Sequence, residues 1–482
     1  MYLGLDIGTS GVKAMLVAED FATVAVAHAP LTVSRPHAGW SEQNPGDWIT
    51  ACEAAIADLA RKQGDAMARL QGIGLSGHMH GATLLDGSDR PLRPCILWND
   101  SRSAEECAVL EARADFRRIG GNIVMAGFTA PKLLWVARHE PEIFERTAKV
   151  LLPKDFVRLW LTGEHVAERS DASGTLWLDV AQRRWSDALL NATGLTQAQM
   201  PALVEGTDIS GSLRTELAER WGVARVPVAG GAGDNAATAC GMGAIQPGTG
   251  FLSLGTSGVL FATTDRFRPN TDDAVHAFCH AVPDTWHQMG VFLAATDALT
   301  WLCEITGRPV PELVGLLPET VTQPSAVGFL PYLSGERTPH NDPGASGAFW
   351  NVRRDTGLPE LVHGVMDGVA LAFADCATAL RAAGTDIDVA YVVGGGARSE
   401  QWLSILAAAT GITLLRPEAG DFGAAFGAAK LAAASVSGDV SGGIFAGPAI
   451  RSEVVPDTNL AAGYAEKYKA YRAAYRQIRP LV

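Results

Sequence analysis

Two segments of the chain share one order of positions: a short apolar run, a glycine-containing turn, and a second apolar run. Residues 2–7 are almost all apolar and precede the turn Gly8-Thr9-Ser10-Gly11, after which residues 12–17 are apolar again. Residues 252–259 repeat this order, and the letters Gly-Thr-Ser-Gly-Val are identical in both copies. Uninterrupted apolar runs of this length predict buried strands. Because Gly8 and Gly255 divide the 482-residue chain nearly in half, we predict two homologous domains that begin with the same hairpin.

The repeated turn also has the composition of an anion site. Glycine lets a ligand approach the backbone closely, and successive N–H groups of such a turn form a concave surface for an anion. In the first copy Thr9 and Ser10 add hydroxyl donors and Lys13 adds a cation; in the second, Gly255 matches Gly8 and Thr256 matches Thr9. Two such turns facing each other would bind a polyphosphate from both sides. Two ordinary hairpins are the alternative, which the repeat itself makes the weaker interpretation.

One difference between the copies suggests a metal. Asp6 precedes the first turn, whereas Ser253 occupies the equivalent position before the second. A Mg²⁺ ion bound to phosphates needs few protein carboxylates, so Asp6 is the predicted metal residue, in direct contact or through water.

Polar residues follow two further apolar runs in the first half. Residues 73–75 lead into His78, Met79 and His80, a plausible site for a polar ligand, although an isolated histidine such as His78 is more often a structural residue. Residues 226–229 lead through a glycine-rich turn to Asp234 and Asn235 at the predicted start of a helix. Asp234 would therefore lie beside an open site, or would only cap the helix.

The second half shows the same succession of strands, glycine turns and helices. The apolar run 389–393 ends in Gly394-Gly395-Gly396-Ala397, where a flat ligand can lie against the backbone. Residues 363–380 and 422–434 have helical composition, and four tyrosines between positions 464 and 475 form a helical stripe that we interpret as packing.

Composition indicates the fold class and argues against some classes of partner. The 52 glycines between apolar runs are typical of α/β architecture. A net charge of −13 argues against a nucleic-acid partner, and there is no basic run to offset it. Seven cysteines without paired spacing indicate reduced thiols, and no signal peptide or membrane-spanning run is recognised, so we expect a cytoplasmic protein without a membrane partner.

Several other clusters resemble known motifs but are weaker evidence for a functional site. His276, Cys279, His280 and His287 resemble a zinc set in spacing, but residues 274–281 alternate as a strand that separates His276 from Cys279. Residues 231–236 fit a dinucleotide fingerprint without the acidic residue expected further on, and no P-loop motif occurs. Asp100 and Arg102 are as readily explained by pairing with each other as by binding a ligand.

Taken together, the motifs resemble those of the FGGY family of carbohydrate kinases from Met1 to about Tyr475. They are Asp6–Ser10, Gln43, Met79–Gly81, Leu97–Asp100, Thr129-x-x-Lys132-x-x-Trp135, Gly233–Asn235, Gly335–Pro339 and Gly394–Ser399. The resemblance implies two actin-like, ribonuclease H-like ATPase domains of α/β class with the active site in the cleft between them. We expect residues 1–246 to carry the sugar site and the first phosphate turn, residues 247–440 the second turn and the adenosine site, and residues 441–482 to form a helical extension packed on the domains. Asn351 departs from the glycine usual in the family, but asparagine also tolerates positive φ.

The same resemblance implies the roles of individual residues. Asp234 is the expected general base, and Met79, His80, Asp234 and Asn235 are expected to line a ketopentose site. The turns at Gly8 and Gly255 are expected to bind the phosphates of ATP, and Gly394–Ala397 to lie against the adenosine. The implied reaction is Mg²⁺- and ATP-dependent phosphorylation of D-xylulose to D-xylulose 5-phosphate. Another ketopentose or a pentitol as substrate stays open, as do a homodimer and, as a different class, a non-kinase actin-like ATPase without a sugar pocket.

Overall fold

The computed structural model describes residues 1–418, 420–441 and 443–479. Its strands are β1 (Tyr2–Ile7), β2 (Gly11–Val17), β3 (Thr23–Pro30), β4 (Glu42–Gln43), β5 (Gly72–Gly77), β6 (Thr83–Leu85), β7 (Cys95–Ile96), β8 (Lys149–Leu151), β9 (Val166–Glu168), β10 (Leu178–Asp179), β11 (Arg184–Trp185), β12 (Ala202–Val204), β13 (Ile209–Ser212), β14 (Pro227–Ala229), β15 (Ala232–Gly233), β16 (Thr249–Leu254), β17 (Gly258–Thr264), β18 (His276–Cys279), β19 (Trp286–Phe292), β20 (Gly328–Leu330), β21 (Ala348–Trp350), β22 (Val389–Val393), β23 (Thr413–Pro417) and β24 (Ile450–Val454).

The helices surround these strands. They are α1 (Pro45–Met67), α2 (Ala104–Arg113), α3 (Phe116–Gly120), α4 (Thr129–His139), α5 (Pro141–Arg146), α6 (Pro153–Thr162), α7 (Arg169–Ser173), α8 (Asp187–Thr193), α9 (Thr215–Trp221), α10 (Asp234–Met242), α11 (Thr296–Thr306), α12 (Val310–Val314), α13 (Leu358–Ala382), α14 (Glu400–Thr410), α15 (Ala424–Ser437) and α16 (Thr458–Ile478), with short 3₁₀ turns at Gln197–Gln199 and Gly395–Arg398.

Each half of the chain builds a seven-stranded mixed sheet, and six strands of each sheet follow the same order. The first has the order β3-β2-β1-β5-β14-β13, with β15 also paired to β5. The second has the order β19-β17-β16-β22-β23-β24, with β18 beyond β19. In both, the opening hairpin is antiparallel and its first strand lies parallel to the next inner strand. The prediction that each half begins on the same hairpin is confirmed.

The central strands are buried because they are apolar at nearly every position. Leu3, Leu5 and Ile7 of β1 are fully buried, as are Leu252 and Leu254 of β16. One apolar core lies around each sheet, and a third joins the halves, where Met79 and Phe128 meet side chains of the second half such as Phe278 and Met289. This third core therefore lies between the two sheets and packs residues of both halves together.

Helix α15 belongs to the second half in sequence but packs on the first sheet. It contacts β1 and β5 and lies against α10. The contact is so close that a Cβ on Gly4 would lie 1.8 Å from the carbonyl oxygen of Ala425, and one on Gly74 would lie 1.8 Å from that of Ala428. Small residues on both surfaces are what permit this approach. The division of the chain at residue 246 is therefore not a division in space.

The segment 441–482, predicted to be a helical extension, is not wholly helical in its described residues. Within it, β24 adds an edge strand to the second sheet, because residues 450–454 pair with β23. Helix α16 follows and packs on α13 and α14, with Tyr464 and Tyr471 buried against them. The tyrosine stripe is thus a packing surface, and Tyr464 donates its hydroxyl to the buried Asp367.

Among the described helices, one is long and apolar enough by composition to cross a membrane. It is α13, and 83% of its most apolar window is buried inside the protein. A buried core helix of a globular protein passes the same test of length and hydropathy, so its composition follows from its central position. Just before it, Asn351 has φ 59°, so asparagine does adopt positive φ at the position where glycine is usual.

Candidate active site

A cavity of about 490 Å³ opens between the two halves. Its lining from the first half is His78, Met79, His80, Trp98, Asp234 and Asn235. Its lining from the second half is Thr256, Ser257, Val259, His276, Phe278, Met289, Val291, Leu293 and Arg337. The structure therefore brings together all four residues predicted for the sugar site and one residue predicted for the second phosphate turn.

Met79 and His80 reach the cavity because β5 ends just before them. His80 has φ 71°, a conformation unusual for a residue other than glycine. Its carbonyl oxygen accepts hydrogen bonds from Lys132 Nζ at 2.8 Å and Thr129 Oγ1 at 3.1 Å, both on α4. Its ring Nδ1 lies 2.7 Å from the carbonyl oxygen of Gly174. Backbone and ring are both fixed, so the imidazole is preorganised rather than free to rotate.

Two further histidines line the same cavity. His78, which sequence reasoning favoured as structural, is buried, and both of its ring nitrogens lack a hydrogen-bond partner within the described chain. Burial lowers the pKa of His78 to about 4 and that of His276 to about 3, so both are uncharged at neutral pH. His276 entered the sequence analysis only as part of an apparent zinc set. The register of β18 against β19 turns it toward the cavity instead.

Asp234 is the first residue of α10, whose N-cap is Gly233, so capping does not explain the aspartate. Its Oδ1 accepts hydrogen bonds from the backbone N–H of Asn235 at 2.7 Å and from Asn235 Nδ2 at 3.0 Å. Burial and, after it, the negative charge of Asp6 raise the pKa of Asp234 to about 6. A carboxylate with this pKa is ionised at neutral pH yet is a stronger base than an exposed aspartate.

Asp6 is the penultimate residue of β1; it does not line the cavity, but its charge acts on Asp234. Burial raises the pKa of Asp6, while the nearby Ser76 side chain and the charge of Lys13 oppose the shift. Its Oδ1 is buried without a hydrogen-bond partner in the described residues. A buried carboxylate oxygen without a partner, next to a second carboxylate, is suited to a divalent cation. The described chain contains no cluster of three or more potential metal ligands, so an ion here would need most of its ligands from phosphate and water.

The two glycine turns occupy matching places in the two sheets but differ in their surroundings. In the first, Thr9 Oγ1 accepts a hydrogen bond from Trp98 Nε1 at 3.0 Å, Ser10 is exposed, and Lys13 forms an ion pair with Asp421. None of these three residues lines the cavity. In the second, the carbonyl oxygen of Gly255 accepts from the backbone N–H of Thr296 at 2.9 Å, and Thr256 is exposed to the cavity.

A second, more apolar cavity of about 640 Å³ lies in the second half. Gly395 and Gly396 line it, together with the side chains of Leu299, Val314 and Trp402. Gly394 precedes the 3₁₀ turn with φ 98°, and a Cβ there would lie 2.4 Å from the carbonyl oxygen of Leu254. Gly394 and the buried Ala397 do not line the cavity themselves. Because Gly394 packs against Leu254, the last residue of β16, this cavity adjoins the second glycine turn.

Sequence reasoning missed most of the wall that the second half contributes. Val259, Met289 and Val291 are ordinary strand residues, and nothing in their local pattern marks a site. Arg337 belongs to a motif that the resemblance had singled out, but no role was assigned to it. The Asp100–Arg102 pair is formed, with Arg102 Nη2 2.7 Å from Asp100 Oδ2, and it lies outside the cavity lining.

Comparisons with known proteins agree with this geometry. Residues 1–241 match the model of the FGGY family of carbohydrate kinases, N-terminal domain, and residues 250–436 match that of the C-terminal domain. The xylulose kinase of Escherichia coli strain K12 is 47% identical over 100% of both chains. A crystal structure of a xyloylose kinase from Brucella ovis has a TM-score of 0.98 at 53% identity and covers 100% of both chains. That of a xylulose kinase from Rhodospirillum rubrum has a TM-score of 0.93 at 29% identity and covers 100% of this chain and 99% of its own.

These matches confirm the two-domain, actin-like ATPase fold predicted from the motifs. Both family models together span most of the chain, and the relatives align over its whole length. Family membership also decides between the two classes of function left open by the sequence, an ATP-dependent carbohydrate kinase and a non-kinase ATPase. The chain belongs to the FGGY family of carbohydrate kinases.

Proposed function

We propose that this kinase transfers the γ-phosphoryl group of ATP to D-xylulose and forms D-xylulose 5-phosphate. The observation that carries the proposal is the Asp234 carboxylate, held in the cavity between the halves with a pKa raised to about 6. Relatives named xylulose kinase, 47% and 45% identical over the full chain, support the choice of sugar. A base of this kind suits a substrate hydroxyl, whose proton must leave when its oxygen bonds to phosphorus.

In this proposal, the cavity residues of the first half have separate roles. Met79, His80 and Asn235 bind and orient the sugar so that its 5-hydroxyl faces Asp234. As the O5–phosphorus bond forms and the bond from phosphorus to the β-phosphate bridging oxygen breaks, Asp234 accepts the hydroxyl proton. Orientation alone contributes much of the rate in phosphoryl transfer, because the protein forms no covalent bond to the phosphoryl group.

In this proposal, the two glycine turns bind the phosphates of ATP. Backbone N–H groups and the hydroxyl of Thr256 donate to phosphate oxygens from the second half, while Thr9, Ser10 and Lys13 face them from the first. Gly255 and Gly394 to Ala397 then direct the adenosine into the apolar cavity beside Trp402. The size of that cavity, its apolar side chains and its contact with the glycine turn support this role.

Asp6 is the residue we propose to hold Mg²⁺, directly or through water, by its unpartnered Oδ1. When bound, Mg²⁺ would neutralise charge on the phosphates during transfer. Without the metal, the negative charge of Asp6 also raises the pKa of Asp234.

The test is a coupled assay of ADP release with Mg-ATP over D-xylulose, D-ribulose, L-xylulose, xylitol and glycerol. We expect the highest kcat/KM with D-xylulose. A higher value with another ketopentose or with a pentitol would overturn the assignment of the sugar while leaving the kinase class in place.

A further inference from the structure

The segment Gly335–Pro339 has no role in the mechanism above, yet it places one cation in the cavity. Arg337 lines the cavity from the second half, across from His80 and Asp234 of the first. Among the described residues its hydrogen bonds are made only by its backbone N–H and carbonyl oxygen, so the guanidinium group has no protein partner there. A half-buried arginine without a protein partner has its five N–H donors available to a ligand.

The backbone around Arg337 is fixed on both sides. Thr338 Oγ1 donates to the carbonyl oxygen of Ala274 at 3.0 Å and accepts from the N–H of Val291 at 3.0 Å. Glu336 exchanges two backbone hydrogen bonds with Asp342, at 2.9 and 2.8 Å, and its Oε1 accepts from the N–H of Arg337 at 2.6 Å. The segment is thus joined to β19, and the position of Arg337 is built rather than incidental.

The surroundings of Arg337 indicate which ligand atoms it can meet. It is the only permanently charged cation among the described residues that line the cavity. Thr338, the next residue, donates to the carbonyl oxygen of Ala274, two residues before His276. The rings of His276 and His80 both pack against Phe128. Arg337 therefore enters the cavity beside the wall that His276 and His80 form.

That wall receives the part of the sugar remote from the reacting hydroxyl. If the 5-hydroxyl of a ketopentose lies at Asp234, the other end of the extended chain carries the C2 carbonyl and the C1 hydroxyl. A carbonyl oxygen accepts only, and a guanidinium donates only, so the two match. A pentitol has a hydroxyl there instead; its oxygen can also accept from Arg337, but its proton needs a second partner, so the match is poorer than with a carbonyl.

We propose that Arg337 is a specificity-determining residue, which donates hydrogen bonds to the carbonyl end of the ketose and so favours ketopentoses over pentitols. The inference rests on the proposed function, since it takes the C5 hydroxyl as the acceptor of the phosphoryl group. It also makes sugar binding depend on both halves of the molecule, because Asp234 and Arg337 lie in different halves.

The experiment compares wild type with Arg337→Met and Arg337→Lys, and with Arg266→Met as a matched control on an exposed arginine of the same half. Measured are kcat/KM for D-xylulose and for xylitol, the KM for ATP, and D-xylulose binding without nucleotide by calorimetry. Losing a charged hydrogen bond should weaken D-xylulose binding and kcat/KM about 10- to 100-fold in Arg337→Met. The loss with xylitol should stay under about threefold, and Arg337→Lys should lie between. The KM for ATP and all values of Arg266→Met should match wild type.

Equal losses on both sugars, or a loss seen only in the KM for ATP, would overturn the inference, as would unchanged values. Calorimetry on Arg337→Lys, which keeps the charge, guards against a fold defect in Arg337→Met. A wild-type enzyme that prefers xylitol would refute the proposed function and this inference together. A wild type that prefers D-xylulose by the same factor as Arg337→Met would refute the inference alone.

Discussion

At the scale of one residue, the environment of Asp234 raises its pKa and destabilises its ionised form. Its carboxylate is buried near Asp6, and both effects disfavour the charged form. Because its pKa in the folded protein is above that of the unfolded chain, the group stabilises the fold at low pH and loses that contribution as pH rises through about 6. The ionised form that the proposed mechanism requires is therefore the form that folding disfavours.

Asp234→Asn separates these two effects. We expect kcat to fall about 10²- to 10⁴-fold, because the base is lost, while the KM for ATP changes little. We also expect the variant to be more stable than wild type by about 1 to 3 kcal/mol near pH 8, and by almost nothing near pH 4, where the wild-type carboxyl is already neutral. Kinetics and thermal melts at both pH values test this. A variant with near-native kcat, or one that loses activity through unfolding, would remove Asp234 as the base.

The pH dependence of the reaction should reflect the same group. With a base whose pKa is about 6, log(kcat/KM) for the sugar should be level above that pH and fall with unit slope below it. His78 and His276 titrate at lower pH, about 4 and about 3, and do not account for a limb near 6. A profile that stays level down to pH 5 would contradict the proton-accepting role, provided that the enzyme remains folded across the range.

At the scale of elements, the contact between α15 and the first sheet depends on the absence of side chains. β1 and β5 each present a glycine to the helix, and the nearest obstacles to a Cβ are backbone carbonyl oxygens, which cannot rotate away. The alanine-rich face of α15 completes this surface, with Ala425, Ala428 and Ala432 all buried. The helix is therefore held by shape complementarity as much as by apolar area.

Gly74→Ala tests that packing. A Cβ at 1.8 Å from the carbonyl oxygen of Ala428 forces the helix and sheet apart, so we expect a loss of at least about 1 to 3 kcal/mol in the free energy of unfolding. Gly87→Ala is the matched control, since a Cβ there meets no atom within 4 Å. Urea titrations of both variants decide the matter. Equal stability of Gly74→Ala and wild type would mean that the contact is looser than described.

At the scale of the whole molecule, the two halves are joined by more than the cavity. α15 returns from the second half to cover the first sheet, Lys13 pairs with Asp421 just before that helix, and an apolar core spans both halves. We therefore expect the stability of the first half to depend on α15, which begins at Ala424 in the second half. In the proposed function, sugar and nucleotide bind on surfaces that share this support.

A fragment experiment follows from this arrangement. Residues 1–246 alone should lack a cooperative unfolding transition, because β1 and β5 would expose the apolar face that α15 covers. The same fragment joined by a flexible linker to residues 421–441 should recover one. Calorimetry and near-ultraviolet circular dichroism of the two fragments measure the difference. A cooperative melt of residues 1–246 alone would show that the helix is dispensable for the first half.

The sequence by itself determined the paired hairpins, the strand-end positions of Met79, His80 and Asp234, and hence the two-domain fold. Apolar runs and glycine turns are local signals, and the repeat at Gly8 and Gly255 related the halves without any knowledge of their contacts. The tertiary structure alone decided which residues of the second half face the first. His276 and Val291 reach the cavity through strand order and register, and Arg337 through the hydrogen bonds that join its loop to β19, so that positions far apart in the chain meet. The packing of α15 on the first sheet was hidden for the same reason, because a small-residue helix carries no local mark of the surface it will cover.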